Sequence, residues 1–288
     1  GIRTAVQTVT SRRLGQKLFS ECGHALHNGI ILVFVLAIPS TLLGTYYSLE
    51  IAELFLQDSD VIPQCADYMH VGFYGIGFVL IGFVFQGFYT GVEQTKIHMK
   101  VTIVSNIINV YLNAGLIYGT DGVRAFFEKI GLPWIAVLWQ WYDFPAMAVK
   151  GAALATVIAS GWMVTQYVIH ILNEKIIKYK PLNFQYSAKN LLQQIKLGFP
   201  IGAQEVISMI GFAVFYKIIG IIGTIELATS EVILNIAHAS FMPAVGVGIA
   251  AATLVGKYLG EEDPDNAELA IWSALKWALL IMGGMGIL

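Results

Sequence analysis

Three asparagines, Asn106, Asn109 and Asn113, fall at i, i+3 and i+7 in a long uncharged run. On a helix that spacing puts three amides on one face. A bilayer core offers an amide no partner, so such a face must turn toward protein. There it can tie helices together or line a polar cavity, and spacing alone leaves both uses open. Gln86 stands in a similar run among Phe83, Phe85, Phe88 and Tyr89. Thr156 and Ser160, four apart, can add hydroxyls to such a lining or bond back to their own helix carbonyls.

Glu205 is the sharpest single residue, a carboxylate inside the apolar run 197–216. Placing its charge at bilayer depth costs at least ~2 kcal/mol, so the group needs a proton, a cation or a partner. It can therefore carry H⁺ or Na⁺. The structural alternatives are pairing with Lys217 or Gln204, or exposure near the cytoplasmic edge. Glu231, Asn235, His238 and Lys276 are weaker candidates. Glu231 is read as opening a helix, where the helix dipole favours a carboxylate. His24 and His27 lie three apart near a loop with no third ligand, so no metal site is expected. H-E-x-x-H, G-x-S-x-G and paired-aspartate motifs do not occur, so no enzyme and no cofactor are expected.

The elements that position these groups follow from composition. Hydrophobic residues make up 56% of the 288 and charged residues 12%, with a mean hydropathy of +0.67. A soluble domain carries roughly 25% charged residues. Runs 28–48, 69–92, 101–120, 151–173 and 232–256 hold no Asp, Glu, Lys or Arg. Run 197–216 holds only Glu205, and 267–288 holds Glu268 and Lys276. Each is long enough to cross a bilayer, which takes about 20 apolar residues in a helix. Unbroken apolarity excludes barrel strands, which are shorter and alternate. The fold class is an all-α polytopic membrane protein, with a half-helix over 1–14 and then seven spans. The net charge of −2 says nothing about nucleic acid, but no basic stripe or recognition motif is present, so no nucleic-acid partner is expected.

Connections are short except for two. Segment 121–149 carries Trp134, Trp139, Trp141 and Tyr142, residue types that favour the membrane–water interface. It reads as interfacial. Segment 174–196 carries five lysines and reads as a linker between two lobes. Alternate loops hold eleven Lys/Arg on one side against Arg124, Lys129 and Lys150 on the other. The richer side therefore faces the cytoplasm. Cys22 and Cys65 flank one span, so no disulfide is expected between them. Pro39, Pro200 and Pro243 fall inside spans and bend them, as simple kinks or as bending points of moving helices. Gly87/Gly91, Gly115/Gly119 and Gly198/Gly202 allow close helix approach.

The start of the chain is repeated 245 residues later. Gly1/Gly246, Ala5/Ala250, Thr8/Thr253, Leu14/Leu259 and Gly15/Gly260 are identical, Arg12/Lys257 keeps its charge, and Ala25/Ala270 follows. Duplicated helical halves are common in membrane transporters. The two copies are expected to superpose by rotation about an axis near the membrane normal.

Several stretches resemble the multidrug and toxic compound extrusion (MATE) family. They are Gly87 to Lys96, with a turn at Gly91, Thr95 and Lys96, and the Asn109/Asn113 pair. Leu197-Gly198-Phe199-Pro200, Met242-Pro243-Ala244-Val245-Gly246 and Leu254 to Gly260 follow in family order. The resemblance covers the chain except 121–149. It implies two pseudo-symmetric helical lobes of the MATE type, twelve helices in all. On that frame Gly1 lies inside helix two and Leu288 ends helix nine, so the chain reads as incomplete at both ends. The lobes are then 1–173 and the start of the second, 197–288, with 174–196 as a cytoplasmic linker.

The implied function is secondary active efflux of organic, often cationic, compounds by antiport with H⁺ or Na⁺. The implied ion or substrate cavity takes Gln86, Asn106, Asn109, Asn113, Thr156 and Glu205. Family members often hold Asp where Asn113 stands, and Asn113 cannot titrate. Their helix-seven Glu usually sits at Ile207 or Ser208, close to the face that Glu205 occupies. The alternative is a flippase of lipid-linked saccharides from the same superfamily. That needs a strongly cationic cavity, and only Lys217 and Lys276 lie at bilayer depth. Small organic substrates and membrane lipid are the implied partners, with a monomer in the bacterial inner membrane.

Overall fold

The computed structural model describes every residue except Gln57, Asp58 and Leu288, the last residue of the final apolar run. The helices are α1 (Ile2–Gly15), α2 (Phe19–Tyr46), α3 (Ser48–Phe55), α4 (Ile62–Gly91) and α5 (Thr95–Lys129). A 3-10 helix, Pro133–Trp139, comes next. Then follow α6 (Ala148–Ile171), α7 (Glu174–Ile177), α8 (Ala188–Ile222), α9 (Thr224–Gly260) and α10 (Pro264–Ile287). Among the described residues seven helices are long and apolar enough to span a bilayer: α2, α4, α5, α6, α8, α9 and α10. They coincide with the seven runs read from sequence. Helices α2, α8 and α9 continue through Pro39, Pro200 and Pro243.

Helix ends follow from local chemistry. After α1, α4 and α9 the chain turns with Lys17, Glu93 and Glu262 in the left-handed region, at φ of 59°, 62° and 60°. Leu18, Gln94 and Asp263 then donate their N–H to the carbonyls of Arg13, Tyr89 and Tyr258. This six-to-one bond is the Schellman closure, and it satisfies helix carbonyls that would otherwise lack partners. Asp263 opens α10: its Oδ1 accepts from the N–H of Asn266 at 3.1 Å and its Oδ2 from Asn266 Nδ2 at 2.6 Å. Pro264 follows at the first helical position, where a missing N–H is harmless.

The chain forms two compact units, and α2 and α4 contribute to both. The first contains 1–29, 86–94 and 177–288. Lipid tails are as apolar as leucine, so helices in a bilayer associate through close contact rather than expulsion of water. Glycine supplies that closeness here. A Cβ on Gly87 would meet the Arg3 carbonyl oxygen at 2.4 Å, and one on Gly91 would meet Thr10 Cβ at 2.7 Å. That glycine pair holds the end of α4 against α1. The lysine-rich segment after α7 is packed rather than free. His27 Nε2 donates to the Pro181 carbonyl at 2.7 Å, and its Nδ1 accepts from the N–H of Gln185. This bonding makes His27 a satisfied packing histidine. Tyr179 is buried against the rings of Phe19 and Phe88, and that burial pushes its phenol up to about 12.

The second unit contains 30–85 and 95–176. Here α5 packs along α6. Gly151 admits the Leu116 carbonyl oxygen, 2.1 Å from where a Cβ would stand. Thr41 Oγ1 donates to the Phe73 carbonyl, tying α2 to α4. Helix α5 runs further than the apolar run suggests, to Lys129, through a sharp turn at Gly119 with φ of 71°. Only glycine adopts that conformation without strain.

Candidate functional site

The asparagines of α5 are the end of a longer polar stripe. His98, Thr102, Ser105, Asn109 and Asn113 recur at intervals of three and four and share one face. Asn113 Nδ2 donates to Asn109 Oδ1 at 2.9 Å, and both residues are half-buried. Buried Ser105 accepts from Gln166 Nε2 of α6 at 3.1 Å. His98 Nδ1 lies 2.6 Å from the hydroxyl of buried Tyr167, and Thr102 Oγ1 lies 3.3 Å from the same nitrogen. Ser105, Gln166, His98 and Tyr167 were not singled out from sequence. The signal was present, since the three-and-four spacing extends backward from Asn109. Asn106 lies at the stripe's margin and is exposed.

The other expected groups are scattered. Gln86 is half-buried on α4 and belongs to the first unit, whereas Asn109 and Asn113 belong to the second. Thr156 donates to the Ala152 carbonyl of its own helix at 3.0 Å and is exposed. Glu205 is exposed on α8, and no ion pair reaches it among the described residues. Glu231 does not open its helix: α9 starts at Thr224, and Glu226 holds the first-turn position. The chain turns at Gly223, ahead of the apolar run, so the helix dipole has no end at Glu231. Asn235, His238 and Lys276 are exposed, with the ring of His238 6.2 Å from that of Phe212.

The repeat is visible in the first unit, where α1 crosses α9. Helix ends Gly15 and Gly260, left-handed residues Lys17 and Glu262, and helix starts Phe19 and Pro264 are each 245 apart. A Cβ on Gly15 would stand 2.0 Å from the Lys257 carbonyl oxygen, and one on Gly260 would stand 2.2 Å from that of Arg12. The offset exchanges these two contacts, since 15 maps to 260 and 12 to 257. Ser11 touches Gly256, its own equivalent. The crossing is thus self-complementary about a local two-fold axis. Buried Gln7 donates to Thr253 Oγ1 and to the Ile249 carbonyl, both at 2.9 Å. Lys257 Nζ bridges both oxygens of Glu93 at 3.0 and 3.1 Å.

Residues 1–114 and 200–288 match the MatE family model. The chain belongs to the MatE family. It is 25% identical over 282 residues to the multidrug resistance protein NorM of Photobacterium profundum, covering 94% of this chain and 55% of that protein. It is 26% identical over 266 residues to the probable multidrug resistance protein NorM of Thermotoga maritima, covering 92% and 51%. The chain therefore spans about half the length of the curated relatives it matches. Its fold is similar to that of a multidrug resistance MATE family transporter solved in an outward-facing conformation, at a TM-score of 0.77 and 19% identity, covering 98% of this chain and 58% of the other. A MOP superfamily transporter from Pyrococcus furiosus gives a TM-score of 0.78 at 19% identity, covering 98% and 57%. Within the MatE frame, the multi-pass helical architecture expected from sequence is present, and the 245-residue offset recurs in the helix ends and turns of the first unit.

Proposed function

We propose that this chain is part of a secondary transporter exporting organic, often cationic, compounds in exchange for H⁺ or Na⁺. Membership of the MatE family carries the reading. The self-complementary crossing of α1 and α9 supports it, because duplicated halves related by an axis suit alternating access. The NorM relatives are named as multidrug resistance proteins. In this reading Asn109 and Asn113, with the stripe that precedes them on α5, line the ion or substrate cavity, and Gln86, Asn106 and Thr156 are further candidates. Glu205 is the candidate ion carrier, with Glu231, Asn235, His238 and Lys276 in secondary roles. Residues 1–173 and 197–288 belong to two lobes, with 174–196 between them. The transporter works as a monomer in the bacterial inner membrane, uses no cofactor beyond its coupling ion, and leaves its substrate covalently unchanged.

The test uses the complete protein in proteoliposomes, with a fluorescent organic cation and an imposed proton or sodium gradient. Gradient-driven dye movement that an ionophore abolishes is the expected result, and its absence with both ions ends the reading. Glu205→Gln keeps shape and removes titration, so it is expected to uncouple movement from the gradient. Wild-type movement in that variant would remove Glu205 as carrier and leave the transport reading intact.

A further inference from the structure

The connection between α5 and α6 lies outside the family match, which stops at residue 114 and resumes at 200. It is a built structure. The Gly119 turn sends Thr120 toward the returning chain, where its hydroxyl accepts the N–H of Phe144 at 2.8 Å and donates to the Tyr142 carbonyl at 3.2 Å. Trp139 is buried, stacks on Tyr111 at a ring-centroid distance of 4.8 Å, and donates its indole N–H to the Tyr111 carbonyl. The Tyr111 hydroxyl donates to the Leu138 carbonyl at 2.6 Å and accepts the indole N–H of Trp141. Leu116, Val123, Trp139, Phe144 and Ala155 form the core beneath. On α5, Tyr111 points away from the face that carries Asn109 and Asn113.

The outer surface of this ordered segment is apolar. Phe126, Ile130, Trp134, Val137, Leu138 and Trp141 are all exposed, Trp134 at 70% and Trp141 at 73%. An exposed apolar patch of such extent marks a contact with something other than water. Ile107, Val110 and Tyr118 of α5, a helix of membrane-spanning length on which the segment packs through Tyr111, are exposed apolar side chains as well. Charge does not supply the attraction. Residues 121–147 hold three acidic against two basic side chains, and Arg124 is paired with Glu128 at 2.9 Å. Tryptophans whose polar N–H is satisfied or near the surface suit the boundary between headgroups and acyl chains.

We propose that residues 126–141 form a lipid-interface wedge: the occupant of this face is the phospholipid boundary layer, and Tyr111 keys the wedge to α5. The segment thereby holds the outer end of the asparagine-bearing helix at a fixed bilayer depth. The attraction is apolar, so it operates in purely zwitterionic lipid and does not weaken with salt. This inference is independent of what the protein transports.

The experiment uses the complete protein in phosphatidylcholine nanodiscs, with a spin label at Val137→Cys in a Cys22→Ser, Cys65→Ser background. Oxygen is expected to collide with this label more often than a water-soluble nickel chelate does, and less often at a Lys129→Cys control. Tyr111→Phe removes the hydroxyl that links Leu138 and Trp141 and is expected to shift the label at 137 toward the nickel reagent. Without labelling, lipid brominated near the glycerol end of its chains should quench wild-type fluorescence more than that of Trp134→Phe. Nickel-dominated collision at 137 would make the segment a water-exposed loop. Protection from both reagents would make it a protein contact. Either result, or equal quenching of the two proteins, overturns the proposal.

Discussion

Asn113 donates an amide hydrogen to Asn109, and that single bond ties together the two residues of α5 that the family resemblance marked. Removing one partner leaves a half-buried amide short of a hydrogen bond, worth about 0.5–1.5 kcal/mol. Asn109→Ala in the complete protein is therefore expected to insert normally and to lose dye efflux, read as restored dye accumulation in an efflux-deficient host. At the start of α10, two bonds from Asn266 hold the Asp263 carboxyl below its usual 3.8. A carboxylate with a depressed folded value stabilises its helix end above the unfolded value. That contribution fades as pH falls through the lower, folded value. Amide exchange at Asn266 should accelerate over that acid window in the wild type, and Asp263→Asn should flatten the dependence. A carboxyl titrating at its ordinary value would show that the cap does not form in solution.

Helices in this chain meet through backbone, and the glycines at the crossings decide how closely. Gly15→Val and Gly260→Val each drive side-chain atoms into a carbonyl on the opposite helix. Overpacking of this kind typically costs about 1–3 kcal/mol. Because the two contacts are related by the repeat, the two variants are expected to lower the thermal unfolding midpoint in detergent by similar amounts. Unequal effects would mean that the crossing is not symmetric in solution. The glycine pairs were legible in the sequence, but their partners were not. Gly87 and Gly91 accept α1, whereas Gly115 and Gly119 accept Phe144 and Ala146 of the connection between α5 and α6. The spacing is identical, and only the fold tells a helix contact from a loop contact.

At the scale of the whole molecule the loop charges predict an orientation. A single cysteine at Lys96 should react from the cytoplasmic side with an impermeant maleimide, and one at Lys129 from the opposite side. Labelling of both from one side would break the alternation on which the seven spans rest. The seven helices of membrane-spanning length among the described residues fit that alternation.

Class, span count and repeat were determined by the sequence, because each is a property of composition or periodicity along the chain. Twenty-residue apolar runs have one way to satisfy their backbone in lipid, and that is helix. A duplication keeps its offset whatever the fold does with it, so 245 reappears in helix ends and turns. What tertiary structure decided was which polar groups meet. Asn109 and Asn113 were found by spacing, whereas Gln166 and Tyr167 enter the same stripe only because α6 lies along α5. His27 was ambiguous until Pro181 and Gln185 closed around it. Glu231 was misplaced because helix starts depend on local turns, and α9 begins at Thr224, seven residues ahead of it. Hydrophobic pattern fixes where a helix lies in the chain, but the pairing of side chains from distant segments is fixed only once those helices have packed.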